Sequence, residues 1–253
     1  VEVDGSAYWM SENGFFRYAG KLESLPCLVE DHVYDDINLE SGNQMVSAGL
    51  NNLFGEVIWF YPTSSSSVVN RMVAYNYFDS SPQRPVWTVG TLARTMWRDS
   101  AIFGKPHALE YDADTDTSFD VVGNTEGRTT YYEHETGTDQ VKGGTVTAIT
   151  ANILSGDFDI TQRIVGNQMT GIADFRGDGE HLMKIRRFIP DFISQTGDTR
   201  VTLNLRNFPS DTASSSSLGP FTITSSTSKV DTRARARAIA LKIENTSTSQ
   251  SWK

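Results

Sequence analysis

Apolar and polar positions alternate in short runs, and turn residues break them every few positions. That rhythm predicts strands rather than helices. Ala7-Tyr8-Trp9-Met10 and Phe15-Phe16-Arg17-Tyr18 flank Asn13-Gly14, the pair that most easily takes positive φ in a hairpin turn. Glu56-Val57-Ile58-Trp59-Phe60-Tyr61 is apolar on both faces, so burial on both sides is expected. A polar loop, Thr63 to Ser67, separates it from Arg71–Tyr77, where Val73, Tyr75 and Tyr77 share one face. Val86-Trp87-Thr88-Val89, closed by Gly90, completes three consecutive antiparallel strands. A fainter set follows at Arg128–Glu135 and Thr145–Leu154, and the best helix candidate is short, around Gly90–Met96.

Strand sets with aromatics near their turns recur at ~40–50 residues, which is the sequence sign of a β-propeller. A blade cannot bury both faces alone, and stacking on neighbouring blades explains the two-sided apolar strand at Val57–Tyr61. An ordinary β-sandwich is the competing architecture. Beyond residue 160, His181–Phe188, Arg200–Arg206 and Lys229–Ile243 read as longer strands. Pro190, Pro209 and Pro220 mark the turns between them, and Ser214–Ser217 is a low-complexity tip. The expected fold is mainly β: β-propeller-like blades of antiparallel strands over 1–160, then a separate barrel-like or sandwich-like β-sheet unit over 161–253.

Charge sharpens that division. The net charge is −9, which argues against a protein that grips nucleic acid over its whole surface. Residues 1–160 hold 9 Lys/Arg and 23 Asp/Glu (9 − 23 = −14), and residues 161–253 hold 13 and 8 (13 − 8 = +5). With 253 residues and 38% apolar side chains the chain is neither disordered nor membrane-embedded. No run approaches the ~18 apolar residues of a transmembrane helix, and no secretory leader is visible. The single cysteine, Cys27, rules out an intramolecular disulfide framework and a multi-cysteine zinc site. The chain starts without Met and stops at Trp252-Lys253, so a piece of a longer polypeptide is expected.

Chemical motifs are sparse. Asp112-Ala113-Asp114-Thr115-Asp116 begins like a calcium loop, but Thr117 and Gly123 stand where an EF-hand needs Gly and Glu. An acidic solvated loop is the plainer reading, with a non-EF calcium turn left open. His134-Glu135 would need its second histidine where Thr138 stands, so Glu133, His134 and Glu135 read as cross-strand partners or a wet edge. His32 lies among Glu30, Asp31, Asp35 and Asp36 and is expected at the surface. Cys27 sits in apolar Leu25–Val29 and reads as a buried small residue. No nucleophile elbow, phosphate loop or dinucleotide fingerprint is present. No catalytic residue, metal ligand or cofactor is assigned.

The unusual segment is Thr232–Glu244. Period 2 puts Arg233, Arg235 and Arg237 on one face and the alanines on the other. Three guanidiniums in a row repel one another unless they meet carboxylates, phosphates or rings. A solvated arginine ladder, a seam with an acidic partner and direct DNA contact are the three readings, the last being the weakest. Arg186 and Arg187 add positive charge nearby in sequence.

A resemblance enters here. Glu56–Pro62, Tyr75-Asn76-Tyr77, Trp87–Gly90, Leu92–Thr95, Tyr132–Gly137, Ser155–Ile160, Arg187–Phe192, Gly219-Pro220-Phe221, Arg233–Arg237 and Lys242–Glu244 resemble tail nozzle proteins of short-tailed bacteriophages. That family is also called tail tubular protein B. The likeness runs from about Tyr8 to the end, through the order of many short motifs rather than one diagnostic motif. It implies a virion protein of the phage tail, a propeller-containing subunit of a six-membered ring. The ring would sit beneath the tail adaptor ring, retain the packaged genome and pass double-stranded DNA without specific binding. Tail fibres are a further candidate partner, and membrane insertion is not expected. The family extends beyond both ends of this chain. Six copies would carry 6 × −9 = −54, a self-repulsion that interfaces, complementary charge or cations must offset. Arg233, Arg235, Arg237, Arg186 and Arg187 are the expected subunit or partner interface. Two alternatives stay open: a tail-associated propeller glycosidase or lyase, and a carbohydrate-binding adhesin for host surface polysaccharide.

Overall fold

The computed structural model describes residues 1–38, 40, 45–100, 104–112, 128–160, 163–166, 173–176, 180–208, 211 and 216–253. It is mainly β, built from several small antiparallel sheets with no closed barrel among the described residues. The chain divides into two units, Val1–Thr136 and Gly137–Lys253. Composition shifts near residue 160, whereas packing shifts at 136, because residues 152–158 hydrogen-bond into a sheet of the second unit. The first unit carries 8 − 20 = −12 formal charges and the second 14 − 11 = +3.

In the first unit β1 (Glu2–Val3), β2 (Ser6–Ser11), β3 (Gly14–Tyr18) and β4 (Leu22–Ser24) form a four-stranded meander in chain order. The predicted hairpin is present, one residue earlier than the Asn-Gly rule places it. Ser11 pairs with Gly14, so Glu12 and Asn13 make the turn, and Gly14 (φ +123°) supplies the positive φ from the strand side. The helix α1 (Glu30–Tyr34) leads out of this sheet. Its Val33 is fully buried, and its Tyr34 hydroxyl donates to the Ser11 carbonyl at 2.6 Å and accepts from the Gly14 N–H at 3.2 Å.

A second meander follows: β5 (Ser47–Asn51), β6 (Glu56–Tyr61), β7 (Arg71–Asn76) and β8 (Trp87–Gly90). β6 is buried on both faces, as its composition predicts. Val57, Trp59 and Tyr61 join Val3, Tyr8, Phe15 and Val33 in one core. Ile58 and Phe60 join Val69 and Ala74 in another, against Leu92 and Trp97. Phe15 is the hub of the first core, its ring 5.0 Å from Trp59 and 4.7 Å from Trp87 between centroids. Each such burial stabilises by about 1.5–3 kcal/mol, and each ring pair adds about 0.5–1.5.

The third sheet is β9 (Met96–Arg98), β10 (His107–Asp112) and β11 (Arg128–Glu133), in order β11-β10-β9. The short helix expected around Gly90–Met96 is absent. Gly90 closes β8, Met96 opens β9, and the stretch between is an irregular crossing. The five-residue helix α1 lies earlier in the chain.

The second unit holds the hairpin β12 (Asp139–Lys142) and β13 (Thr145–Ala148), then β14 (Asn152–Leu154) and the ribbon β15 (Arg163–Gly166) with β16 (Ala173–Arg176). β17 (Met183–Phe188), β18 (Gln195–Thr196), β19 (Thr199–Arg206), β20 (Ser217–Ile223), β21 (Val230–Ala236), β22 (Ala238–Glu244) and β23 (Ser251–Trp252) complete it. One sheet runs β14-β22-β19-β20, while β17 pairs with β21 and β18 with β23. Met183, Leu203, Ala234, Ala236 and Ile239 form the core of this unit.

Pro190 lies in a loop as read from sequence, and Pro209 and Ser214–Ser215 fall outside the described residues. Pro220 does not mark a turn; it lies inside β20, an edge strand with a register shift opposite Val201/Leu203. A missing N–H is tolerated at such an irregular edge.

Candidate functional site

The arginine segment folds as its alternation predicts. Along β21 the burial alternates, with Thr232, Ala234 and Ala236 inside and Arg233 and Arg235 outside. β17 pairs with it in antiparallel register, Met183 opposite Ala236, Lys184 opposite Arg235 and Ile185 opposite Ala234. A register shift between Ile185 and Arg187 leaves both Arg186 and Arg187 exposed. All five predicted residues therefore belong to one stretch of structure. Arg186, Arg187, Arg233 and Arg235 lie on the outer face of the β17–β21 ribbon, joined by Lys184, and Arg237 follows directly, exposed at its end.

One carboxylate answers this face. Asp231 lies opposite Arg187 and accepts from its Nε–H at 2.6 Å, which holds the Asp231 carboxyl below its usual range. Among the described residues Lys184, Arg186, Arg233, Arg235 and Arg237 make no ion pair. The alanine face explains how the ribbon tolerates this. Ala234 and Ala236 are small enough to bring the strand close to the core of Leu203 and Ile239, so the arginine backbone is anchored while the guanidiniums stay wet.

At Arg237 the chain changes sheets. Its N–H donates to the Arg206 carbonyl at 3.1 Å, and the next residue opens β22. Arg206, on the neighbouring strand, lies 2.8 Å from Asp157, but its N–H misses the oxygen, so the contact is Coulombic rather than a hydrogen bond.

Sequence reasoning did not find a second polar constellation, in the seam between the second and third sheets of the first unit. Arg94 enters it from the irregular crossing after β8 and is 4% exposed. Its Nη1 donates to Glu110 Oε2 at 3.1 Å and to the Ala93 carbonyl at 2.7 Å, and its Nε donates to His134 Nε2 at 2.9 Å. Its guanidinium carbon lies 3.9 Å from the Tyr132 ring centroid, a cation–π contact. His134 in turn lies 4.6 Å from the Trp97 ring. Burial first, and then the Arg94 charge, push the imidazole down to about 4, so it stays neutral and can accept from Arg94. His134 is therefore a seam residue and not a wet edge. Its neighbour Glu133 does face solvent, 3.3 Å from Lys105. Glu135 turns the other way, with φ +58°, and its Oε1 accepts from Asn51 Nδ2 at 3.2 Å. In the Leu92–Thr95 stretch a lone arginine, Arg94, stands among small and apolar residues, and that was the available signal.

The remaining sequence candidates separate. His32 is exposed on α1. Cys27 is partly buried against the first core, which pushes its thiol up to about 11. Of the acidic loop, Asp112 ends β10 and Asp114 and Asp116 lie outside the described residues. Among the described residues no group of three or more His, Cys, Asp or Glu is arranged to hold a metal ion, and no helix is long and apolar enough to cross a membrane.

No protein-family model matches this sequence, and no curated protein matches it.

Proposed function

We propose that the chain is a structural subunit of a phage tail nozzle ring, a conduit that retains packaged DNA and lets it leave. The observation that carries this reading is the outer face of the β17–β21 ribbon: five cations, counting Arg237 at its end, that have no ion partner among the described residues, in a chain of net charge −9. A ring of repelling acidic copies would use such a strip as a seam. The second meander fits the same reading, because β6 is buried on both faces, as a strand stacked between neighbouring blades would be. An acidic first unit suits a passage for a polyanion, since many phosphate–arginine contacts would hold the DNA.

The test is assembly. Native mass spectrometry of the wild-type chain is expected to show a ring, and Arg233→Glu, Arg235→Glu and Arg237→Glu together are expected to abolish it. Rings that form unchanged in the triple variant remove the seam from the argument. DNA-independent cleavage of host capsule, read by a reducing-sugar assay, would favour the glycosidase or lyase reading instead.

One observation favours the adhesin reading. On the outer face of the first meander Trp9 stacks on Phe16 across the β2–β3 pair, centroids 5.8 Å apart and planes 21° apart, with Tyr18 half exposed beside them. A flat aromatic strip of this kind stacks on sugar rings. Binding of host polysaccharide that is lost in Trp9→Ala would carry that reading over the nozzle.

A further inference from the structure

Asn51 ends β5 and Glu56 opens β6, and the two are direct cross-strand partners. Their side chains point toward the seam, on the same face as Gly49 and Ile58, where Trp97 packs. Glu135, two residues beyond β11, reaches Asn51 from the other side of the seam. Three oxygen-bearing side chains from three separate stretches of chain thus converge on one place.

Asn51 is 2% exposed, and its amide is only half used. Nδ2 donates to Glu135 Oε1, while Oδ1 is buried with no hydrogen-bond partner among the described residues. A buried amide oxygen left bare is costly, because it has given up water for nothing. Exchanging the amide oxygen and nitrogen does not cure this. The exchange would set oxygen against the Glu135 carboxylate and bury an unpaired NH₂ in its place. The carboxylates are equally unanswered. Glu56 has no ion pair among the described residues, and Glu135 has none beyond its hydrogen bond to Asn51. Two cations flanking the third sheet are engaged elsewhere, Arg94 by Glu110 and Lys105 by Glu133. Glu56 and Glu135 repel each other across the gap.

We propose that Glu56, Glu135 and the side-chain oxygen of Asn51 form a binding site for a hard divalent cation of the calcium type. The donor set is all oxygen, two carboxylates and an amide, which is the chemistry calcium takes and which zinc, lacking nitrogen or sulfur here, does not. A cation answers every anomaly at once: it coordinates the bare Oδ1, neutralises both carboxylates and ties β5–β6 to the end of β11. Two carboxylates with water completing the shell place the affinity in the weak class, with Kd on the order of 10⁻⁴–10⁻³ M. This inference does not depend on the nozzle reading.

The experiment uses the whole chain, stripped with a chelator, at constant ionic strength. Addition of 10 mM CaCl₂ is expected to raise the melting temperature by about 4–8 °C. Titration calorimetry is expected to show a calcium site that weakens at least tenfold in both Glu56→Gln and Glu135→Gln. Without calcium, Glu56→Gln is expected to melt at or above the wild type, since the substitution relieves repulsion; this separates lost binding from lost folding. Glu133→Gln, a neighbour outside the site, is expected to keep the full response. A wild type indifferent to calcium, an equal response to MgCl₂, a response that survives in Glu56→Gln and Glu135→Gln, or one lost equally in Glu133→Gln overturns the proposal. So does a proton as the occupant, seen as stabilisation by acid that Glu56→Gln removes while calcium does nothing.

Discussion

Arg94 holds its guanidinium 3.9 Å from the ring of Tyr132, and both residues are buried. The same guanidinium anchors Glu110 and His134, so one side chain satisfies partners from β10 and from the end of β11. Removing one partner of a buried pair leaves an uncompensated charge, which costs about 3–5 kcal/mol. Arg94→Ala is expected to lose that much in urea denaturation. Arg94→Lys is expected to recover only part, because an ammonium cannot fork between Glu110 and His134 while lying flat on a ring. Full recovery by lysine would mean that charge alone matters.

His134 makes stability depend on pH in a definite window. The unfolded imidazole titrates at about 6.5, whereas the folded one is pushed down to about 4 by burial and Arg94. Above pH 6.5 both states are neutral and nothing changes. Between 6.5 and 4 the unfolded chain binds a proton that the fold refuses, so stability falls as pH falls and levels off below about 4. Glu56, raised by burial and by Glu135, works in the opposite sense. Urea midpoints at pH 7, 5.5 and 4.5 are expected to converge between wild type and His134→Gln as pH drops, if the wild type starts higher. Parallel curves would remove His134 as the cause.

Gly49 is required by Trp97. A Cβ at this position would lie 2.8 Å from the Trp97 Cβ and closer still to its ring, which is itself fixed by a 2.9 Å hydrogen bond from Nε1 to the Leu50 carbonyl. Gly49→Ala is expected to destabilise by about 1–3 kcal/mol through overpacking. Combining it with Trp97→Ala is expected to cost less than the sum of the two single changes, a coupling read by a double-mutant cycle.

The two faces of β21 predict opposite tolerances. Ala236 is fully buried, so Ala236→Leu is expected to cost about 1–3 kcal/mol. Arg235 is exposed and makes no ion pair among the described residues, so Arg235→Ala is expected to stay within about 0.5 kcal/mol in the unassembled chain. Thermal melts of both variants would show whether the alternation is one of burial.

The legible features were those written in local periodicity. Two-sided burial of β6 follows from five consecutive apolar residues, Val57–Tyr61, and the arginine face of β21 from strict alternation. The seam was not legible for a physical reason: Arg94 lies 16 residues from Glu110 and 40 from His134, and Asn51 lies 84 residues from Glu135, so only stacking of sheets brings them together. Leu92–Thr95 misled because helical and irregular crossings share the same residue types, and the deciding factor was Arg94 turning inward. Pro220 misled because an edge strand can spare the N–H that a central strand needs.

The switch of sheets at Arg237 has a mechanical meaning. Residues 230–244 are one run of backbone that pairs first with β17 and then with β19 and β14. A pull on the ribbon would reach the four-stranded sheet through covalent bonds, not through side chains that can slip. Seven register pairs between β19 and β22 would then share that load in shear, the direction in which antiparallel ladders resist longest.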